Sequence, residues 1–426
     1  MLHCHIDQLM KASLLVAMTT TVLAGGNQVV KTPFAPLGPG GAAQGIVDAR
    51  GNLYTSMQYG VDVVTGKLVA GGAAAQMKQA MANVAEVFKA VASINSLGTS
   101  GTSCWIYGFD AATFGNISSE YYTFFTNKDH PSRNPTGATL VYDDALVGVS
   151  CTGFPNGGVR VKPPNFFPTD FNAQGLLVDG GTHLFTSAQL GLDPVTGSLA
   201  AGGAVNETHQ ALSNIAVVFA TAFPKLGAKA FAQRASECQI ILADDDTSVW
   251  PAVAREFASF FPPGSPSTPA ISITGFPPNS LPLPAHAAVT CNGVGPGAAR
   301  SVLSDGSVVA RVGTTTQLQA TAKLGSDVGT AFTATASAFA EAFVYLSKAG
   351  EFPEAIVQKT ATQCQLWLAD PKADAAKALA ALTVLFANSV PALTVTKAAL
   401  PALLGVDDAT TTGMLVALQC FGSDTQ

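Results

Sequence analysis

The chain has 426 residues, enough for about three domains of ordinary size, yet only 12% of them are charged and the net charge is -6. No Lys/Arg cluster is present to meet a phosphate backbone, which argues against a nucleic-acid partner. With 48% hydrophobic residues, 41 Gly and 25 Pro, the composition describes folded, weakly charged modules with long Gly/Pro connections.

Residues 1–26 read as a secretory signal whose start is Met10: one lysine, Lys11, then an apolar stretch to Leu23 and small residues from Ala24 to Gly26. The stretch is too short to span a bilayer, and no other segment is long and apolar enough, so no membrane span is expected. His3-Cys4-His5 looks like a copper ligand set. The remaining histidines, His130, His183, His209 and His286, contain no His-x-His pair, so neither metal nor cofactor is expected.

From Gly45 the chain repeats itself. Gly45-Ile46-Val47-Asp48 and Leu53-Tyr54-Thr55-Ser56 are short apolar runs parted by turn residues, and Gly175 to Ser187 is a second copy. A blurred third copy begins near Arg300-Ser301-Val302. An Asp-x-x-Thr-Gly turn follows at Asp62–Gly66 and again at Asp193–Gly197.

Each copy then carries a long helix. Met77, Met81, Val84, Phe88 and Val91 make one apolar stripe, matched by Leu212, Ile215, Phe219 and Phe223 and, more weakly, by Thr335, Phe339, Phe343 and Leu346. Such a stripe is core rather than a cofactor box. The spacing of Phe88, Phe219 and Phe343 far exceeds the roughly 20 to 50 residues of solenoid units, so each copy is a whole domain. The expected boundaries are 27–154, 155–293 and 294–426.

A strand opening on a cysteine comes next (Cys104, Cys238, Cys364), then a second helix over 118–125, 251–261 and 375–386, then two final strands, the last ending on a second cysteine (Cys151, Cys291, Cys420). Six cysteines, two per repeat, behind a signal segment predict the disulfides Cys104–Cys151, Cys238–Cys291 and Cys364–Cys420. The alternative is that each is a small buried hydrophobe. Residues 155–170 and 292–299 read as linkers, and 277–284 as an exposed proline-rich insertion. Each repeat is thus β-β-α-β-α-β-β, an α+β plan with two helices on one face of a mixed sheet.

This order, with Thr-Ser-x-Gln at Thr55–Gln58 and Thr186–Gln189, resembles the Rid family of reactive-intermediate deaminases. The resemblance implies chorismate-mutase-like domains and, because family members form homotrimers with ligand clefts between subunits, a single chain folded as an intramolecular pseudo-trimer. It also implies hydrolysis of amino-acid-derived imines and enamines. There an arginine on the penultimate strand grips the substrate carboxylate, and a glutamate on the last strand helps position water.

Aligned on the strand segments, the arginine position falls on Gly137, Thr268 and Ala392. Arg133, four residues upstream of Gly137, is the candidate displaced anchor; an exposed loop arginine is the alternative. Gly148 and Ser150, Ala288 and Thr290, and Ala417 and Gln419 stand where the glutamate belongs, and Ser118 and Ala254 replace an asparagine of the second helix. Ser56 and Ser187 survive as weak catalytic candidates, with strand-end hydrogen bonding the alternative role.

Asp244-Asp245-Asp246 and Asp407-Asp408 lack the spacing of a calcium loop and read as solvated turns. Asn116 and Asn206 fit the glycosylation pattern. The expectation is therefore a secreted, disulfide-linked Rid-like pseudo-trimer with degenerate sites, acting as an extracellular binding or structural protein. Self-association, extracellular protein partners or a small molecule in the inter-repeat clefts are the expected interactions. The competing reading is an imine deaminase that uses one surviving cleft.

Overall fold

In a computed structural model, the structure describes residues 21–22, 27–94, 96–125, 130–164, 173–243, 247–261 and 269–294. In the third repeat it describes 298–302, 308–312, 315–321, 361–368, 377–378, 380–383, 386, 392–397, 399–403 and 416–425. The expected signal peptide at 1–20 and 23–26, His3-Cys4-His5, both aspartate runs, Thr268 and the third helical stripe lie outside the described residues.

The first repeat comprises β1 (Gln28–Val30), β2 (Gly45–Val47), β3 (Leu53–Thr55), α1 (Gly72–Lys89), β4 (Gly101–Tyr107), α2 (Phe114–Tyr122), β5 (Ser132–Thr136), β6 (Thr139–Leu140) and β7 (Gly148–Gly153). The second has β8 (Gly158–Val161), β9 (Gly175–Val178), β10 (His183–Thr186), α3 (Ala204–Ala222), β11 (Ala235–Leu242), α4 (Trp250–Ser259), β12 (Ala270–Gly275) and β13 (Ala287–Val294). The third shows β14 (Ala298–Val302), β15 (Val308–Val312), β16 (Thr315–Thr321), β17 (Ala361–Leu368), β18 (Ala392–Lys397), β19 (Ala399–Leu403) and β20 (Val416–Thr425).

All three sheets share one order. The first runs β1-β2-β3-β7-β4-β5, with Thr21–Val22 of the expected signal segment paired antiparallel to β1 at its edge; the second runs β8-β9-β10-β13-β11-β12 and the third β14-β15-β16-β20-β17-β18. Only the last pair in each is parallel: β4 with β5, β11 with β12, β17 with β18. The fold is therefore α+β, repeated.

Two expectations need correction. The first two repeats open with a strand not foreseen, β1 and β8, the latter lying in a stretch read as a linker. Short apolar runs flanked by Gly and Pro carry too little periodicity to be told from connections. The third hairpin is also offset by one strand, because β15, not the segment around Arg300, occupies the place of β2 and β9.

The helical stripes are core, as their spacing implied. Met77, Met81, Val84 and Phe88 are sealed against β4 and β7, and Leu212, Ile215 and Phe219 against β11 and β13. Burying such a side chain stabilises by about 1.5–3 kcal/mol. The cysteines face each other across neighbouring strands. Cys104–Cys151 and Cys238–Cys291 are bonded with Cα atoms 4.2 and 4.1 Å apart. Cys364 is also disulfide-bonded and stands opposite Cys420 in register.

The repeats exchange strands. β6 of the first pairs with β18 of the third, and β19 of the third pairs with β12 of the second. The second repeat answers through the insertion at 277–284, where Ser280 O accepts the Gly137 N–H at 2.5 Å. Expected to be an exposed loop, this insertion buries Ser280, Leu281 and Pro282 against the first repeat. Gly137 permits that approach: a Cβ there would stand 2.5 Å from Phe109 O and 2.7 Å from Ser280 Cα.

Candidate functional site

The Thr-Ser-x-Gln motif does its work through hydrogen bonds. Thr55 Oγ1 accepts the N–H of Cys151 at 2.8 Å, and Thr186 Oγ1 accepts that of Cys291 at 2.9 Å, so each threonine ties the hairpin to the last strand of its own repeat. Each serine reaches across to another repeat. Ser187 Oγ accepts the N–H of Arg133 at 3.0 Å and donates to Ala173 O. Ser56 Oγ accepts the N–H of Leu393 at 2.8 Å and donates to Ala43 O.

The backbone closes both contacts from the other side. Ala188 N–H donates to Arg133 O at 3.1 Å, and Met57 N–H donates to Leu393 O at 2.9 Å. Ser56 and Ser187 are thus structural latches between repeats, with both hydroxyl functions already engaged.

These contacts fix the strand alignment. Arg133 stands opposite Cys104 just as Ile271 stands opposite Cys238 and Leu393 opposite Cys364. Arg133 therefore holds the same place on the penultimate strand as Ile271 and Leu393, and Gly137 and Ala392 are not equivalent to one another in register. Arg133 is not an exposed loop arginine, since it lies in β5 and is only 8% exposed.

Arg133 lines a cleft of about 290 Å³ between the first and second repeats. Its Nη1 donates to Ser118 Oγ at 3.1 Å, and its guanidinium carbon lies 5.0 Å from the Phe114 ring centre and 5.1 Å from that of Tyr122. Both rings and Ser118 belong to α2, so one helix orients the whole cation through its faces and one edge. Ser187, Gln174, Gln189 and Asn214 bring polar groups from the second repeat. Gln189 Nε2 donates to Gln174 Oε1 at 2.9 Å, which fixes that amide pair.

Phe114, Leu190, Leu192, Pro282 and Leu283 make most of the remaining wall apolar. Among the described lining residues there is no Asp or Glu. A guanidinium at the edge of a largely apolar cleft suits a small organic carboxylate whose carbon chain leaves water.

Arg133 and Ser187, both foreseen, come together here; Ser56 does not join them. Tyr54, near Ser56 in sequence, hydrogen-bonds Asp48 at 3.4 Å. The contributions of Phe114, Gln174 and Leu283 were not foreseen, because only the fold brings them to the boundary. The exposed Asn116 and Asn206 lie in the first turns of α2 and α3. Among the described residues no cluster of three potential metal ligands occurs, and no single helix is long and apolar enough to cross a membrane.

A repeated α+β module with a parallel final strand pair, whose first copy carries an arginine on the last of those strands, places an arginine-lined cleft between two modules. Comparison with known proteins supplies the family. No family model matches the chain. A 2-iminobutanoate/2-iminopropanoate deaminase of Rattus norvegicus is 34% identical over 98 residues, 23% of this chain and 69% of that protein. The Bos taurus protein of the same name is 38% identical over 63 residues, covering 15% of this chain and 45% of its relative.

A solved Rid-family structure from Yersinia pestis matches 30% of this chain and 98% of its own, at 21% identity and a TM-score of 0.27. The similarity to the Rattus norvegicus protein shows that the chain belongs to the Rid family.

Proposed function

We propose that the chain is a single-polypeptide ring of three Rid modules that binds small apolar 2-imino carboxylates, and hydrolyses them to 2-oxo acids and ammonia, in the cleft between its first and second repeats. The observation that carries this reading is Arg133, held by Ser118 and the α2 rings within that cleft. The ring is supported by the strand exchanges of β6 and β19. In this reading Arg133 grips the carboxylate while the apolar wall takes the side chain. Water adds to the imine carbon, and the C–N bond breaks with release of ammonia.

A second reading, a carrier without turnover, is favoured by the absence of a carboxylate among the described lining residues. We also propose secretion, supported by two disulfides between neighbouring strands and by a third cysteine pair, Cys364 and Cys420, in register on neighbouring strands.

Ammonia release from 2-iminobutanoate generated in situ tests the enzyme. Loss of one charge-assisted contact is worth about 1.5–3 kcal/mol, so Arg133→Ala should lower kcat/KM roughly 10- to 150-fold. Binding of 2-oxobutanoate without ammonia release above background would decide for the carrier.

A further inference from the structure

The insertion at 277–284 is anchored at one end and strained at the other. Ser280 accepts the Gly137 N–H on its carbonyl and turns back on Pro277 O through its own N–H and hydroxyl. Leu281 is wholly buried with Phe276, Ala285 and, from the third repeat, Trp367. Two residues on, Leu283 is 52% exposed and has φ 62°, a left-handed conformation that leucine rarely adopts. Pro282 and Pro284 on either side have fixed φ, which narrows the ways out of it.

Half of Leu283 stays open, so core packing does not offset that conformation. With Pro282 it lines the Arg133 cleft. A strained residue held at a cleft rather than in the core points to a task there.

Its place in the cleft follows from β5. Arg133 and Pro135 alternate along that strand and both line the cleft, and Gly137, next in the alternation, donates to the insertion. Extended chain of about 13 Å thus separates the backbone of Arg133 from the point where the insertion docks.

We propose that Leu283 is the specificity-determining residue of this cleft, meeting the far end of the ligand's carbon chain and favouring a six-carbon 2-imino carboxylate over the four-carbon one. This rests on the reading that the Arg133 cleft takes 2-imino carboxylates. The carboxylate sits on Arg133, and the chain runs along Pro135 toward Pro282 and Leu283. A cleft of about 290 Å³ holds roughly nine or ten water-sized groups at about 30 Å³ each, which leaves space for about two carbons beyond 2-iminobutanoate. Phe114 and Leu190 continue the apolar wall, so the added carbons leave water against apolar surface.

Calorimetric titration of the full chain with 2-oxobutanoate and 4-methyl-2-oxopentanoate, the 2-oxo acids of the two skeletons, tests this without requiring turnover. The six-carbon acid should bind roughly tenfold tighter, about the factor that two buried carbons supply. Leu283→Gly should cut that preference to about threefold or less while its thermal midpoint stays no lower than that of wild type, since glycine adopts a positive φ without strain. Leu283→Met, of similar apolar volume, should keep the preference. Equal affinity of wild type for the two acids, or an undiminished preference in Leu283→Gly, would overturn the role of Leu283. Failure of both acids to bind wild type would instead overturn the reading of the cleft itself, and this proposal with it. Should Leu283→Gly not fold, Leu283→Asn, a residue that also tolerates this φ, takes its place with the same expected loss.

Discussion

The first repeat takes part in one serine latch with each neighbour, held by Ser187 of the second and holding the third through its own Ser56. At the boundary with the second repeat, Ser187 holds the backbone of Arg133, whose guanidinium lines a cleft. At the boundary with the third, Ser56 holds the backbone of Leu393 in the same way, and Leu393 is wholly buried. The latching contacts are shared, and the two boundaries differ in the residue carried on the latched strand, an arginine at one and a buried leucine at the other.

The sharpest way to break this comparison is to truncate the two latched residues. Leu393→Ala should cost about 2–5 kcal/mol of stability, read by denaturant unfolding, and leave carboxylate affinity unchanged. Arg133→Leu should do the reverse, removing carboxylate binding in calorimetry while costing little stability, because an apolar side chain replaces a buried cation. If Leu393→Ala weakens ligand binding as strongly as Arg133→Leu, the two boundaries are not separate in function.

A smaller effect is expected at the serines. Ser56→Ala and Ser187→Ala each strand a buried N–H of another repeat, costing about 1–3 kcal/mol. Only Ser187→Ala should also weaken the ligand, by loosening the strand that carries Arg133. Equal ligand affinity in the two variants would show that the latch does not position the arginine.

The smallest effect should be common to the first two repeats. Asp62 and Asp193 each accept hydrogen bonds from the backbone N–H and hydroxyl of the threonine three residues on, and both carboxyls are held below their ordinary range, chiefly by the backbone bonds. Folded values below unfolded ones mean stability that is present above the ordinary carboxylate range and lost as pH falls through the folded values. Unfolding midpoints measured from pH 6 down to pH 3 should fall less steeply in Asp62→Asn, and likewise in Asp193→Asn.

Much of the fold was legible because its signals are periodic or paired. Met77 to Phe88 repeats at helical spacing, Cys104 and Cys151 recur at matched places in each copy, and Asp62 with Thr65 spells a capped turn. Strands β1 and β8 were not legible, being short and lodged between glycines and prolines. The site was half legible. Arg133 was singled out, but its equivalence to Ile271 and Leu393 was not visible, because a strand's register is set by its partner, here Cys104 on β4, and not by its own sequence. Ser56 and Ser187 were seen as survivors of a site, whereas their hydroxyls clasp other repeats, a role visible only when Leu393 and Arg133 arrive from distant sequence.

The exchange of β6 and β19 between sheets has a consequence for dilution. Modules that trade strands as separate polypeptides fall apart when scarce, because their association depends on concentration; here the partners are tethered, so each meets the others at a fixed effective concentration. A molecule built this way holds its shape at any abundance, and its three boundaries are free to diverge without any of them having to match a copy of itself.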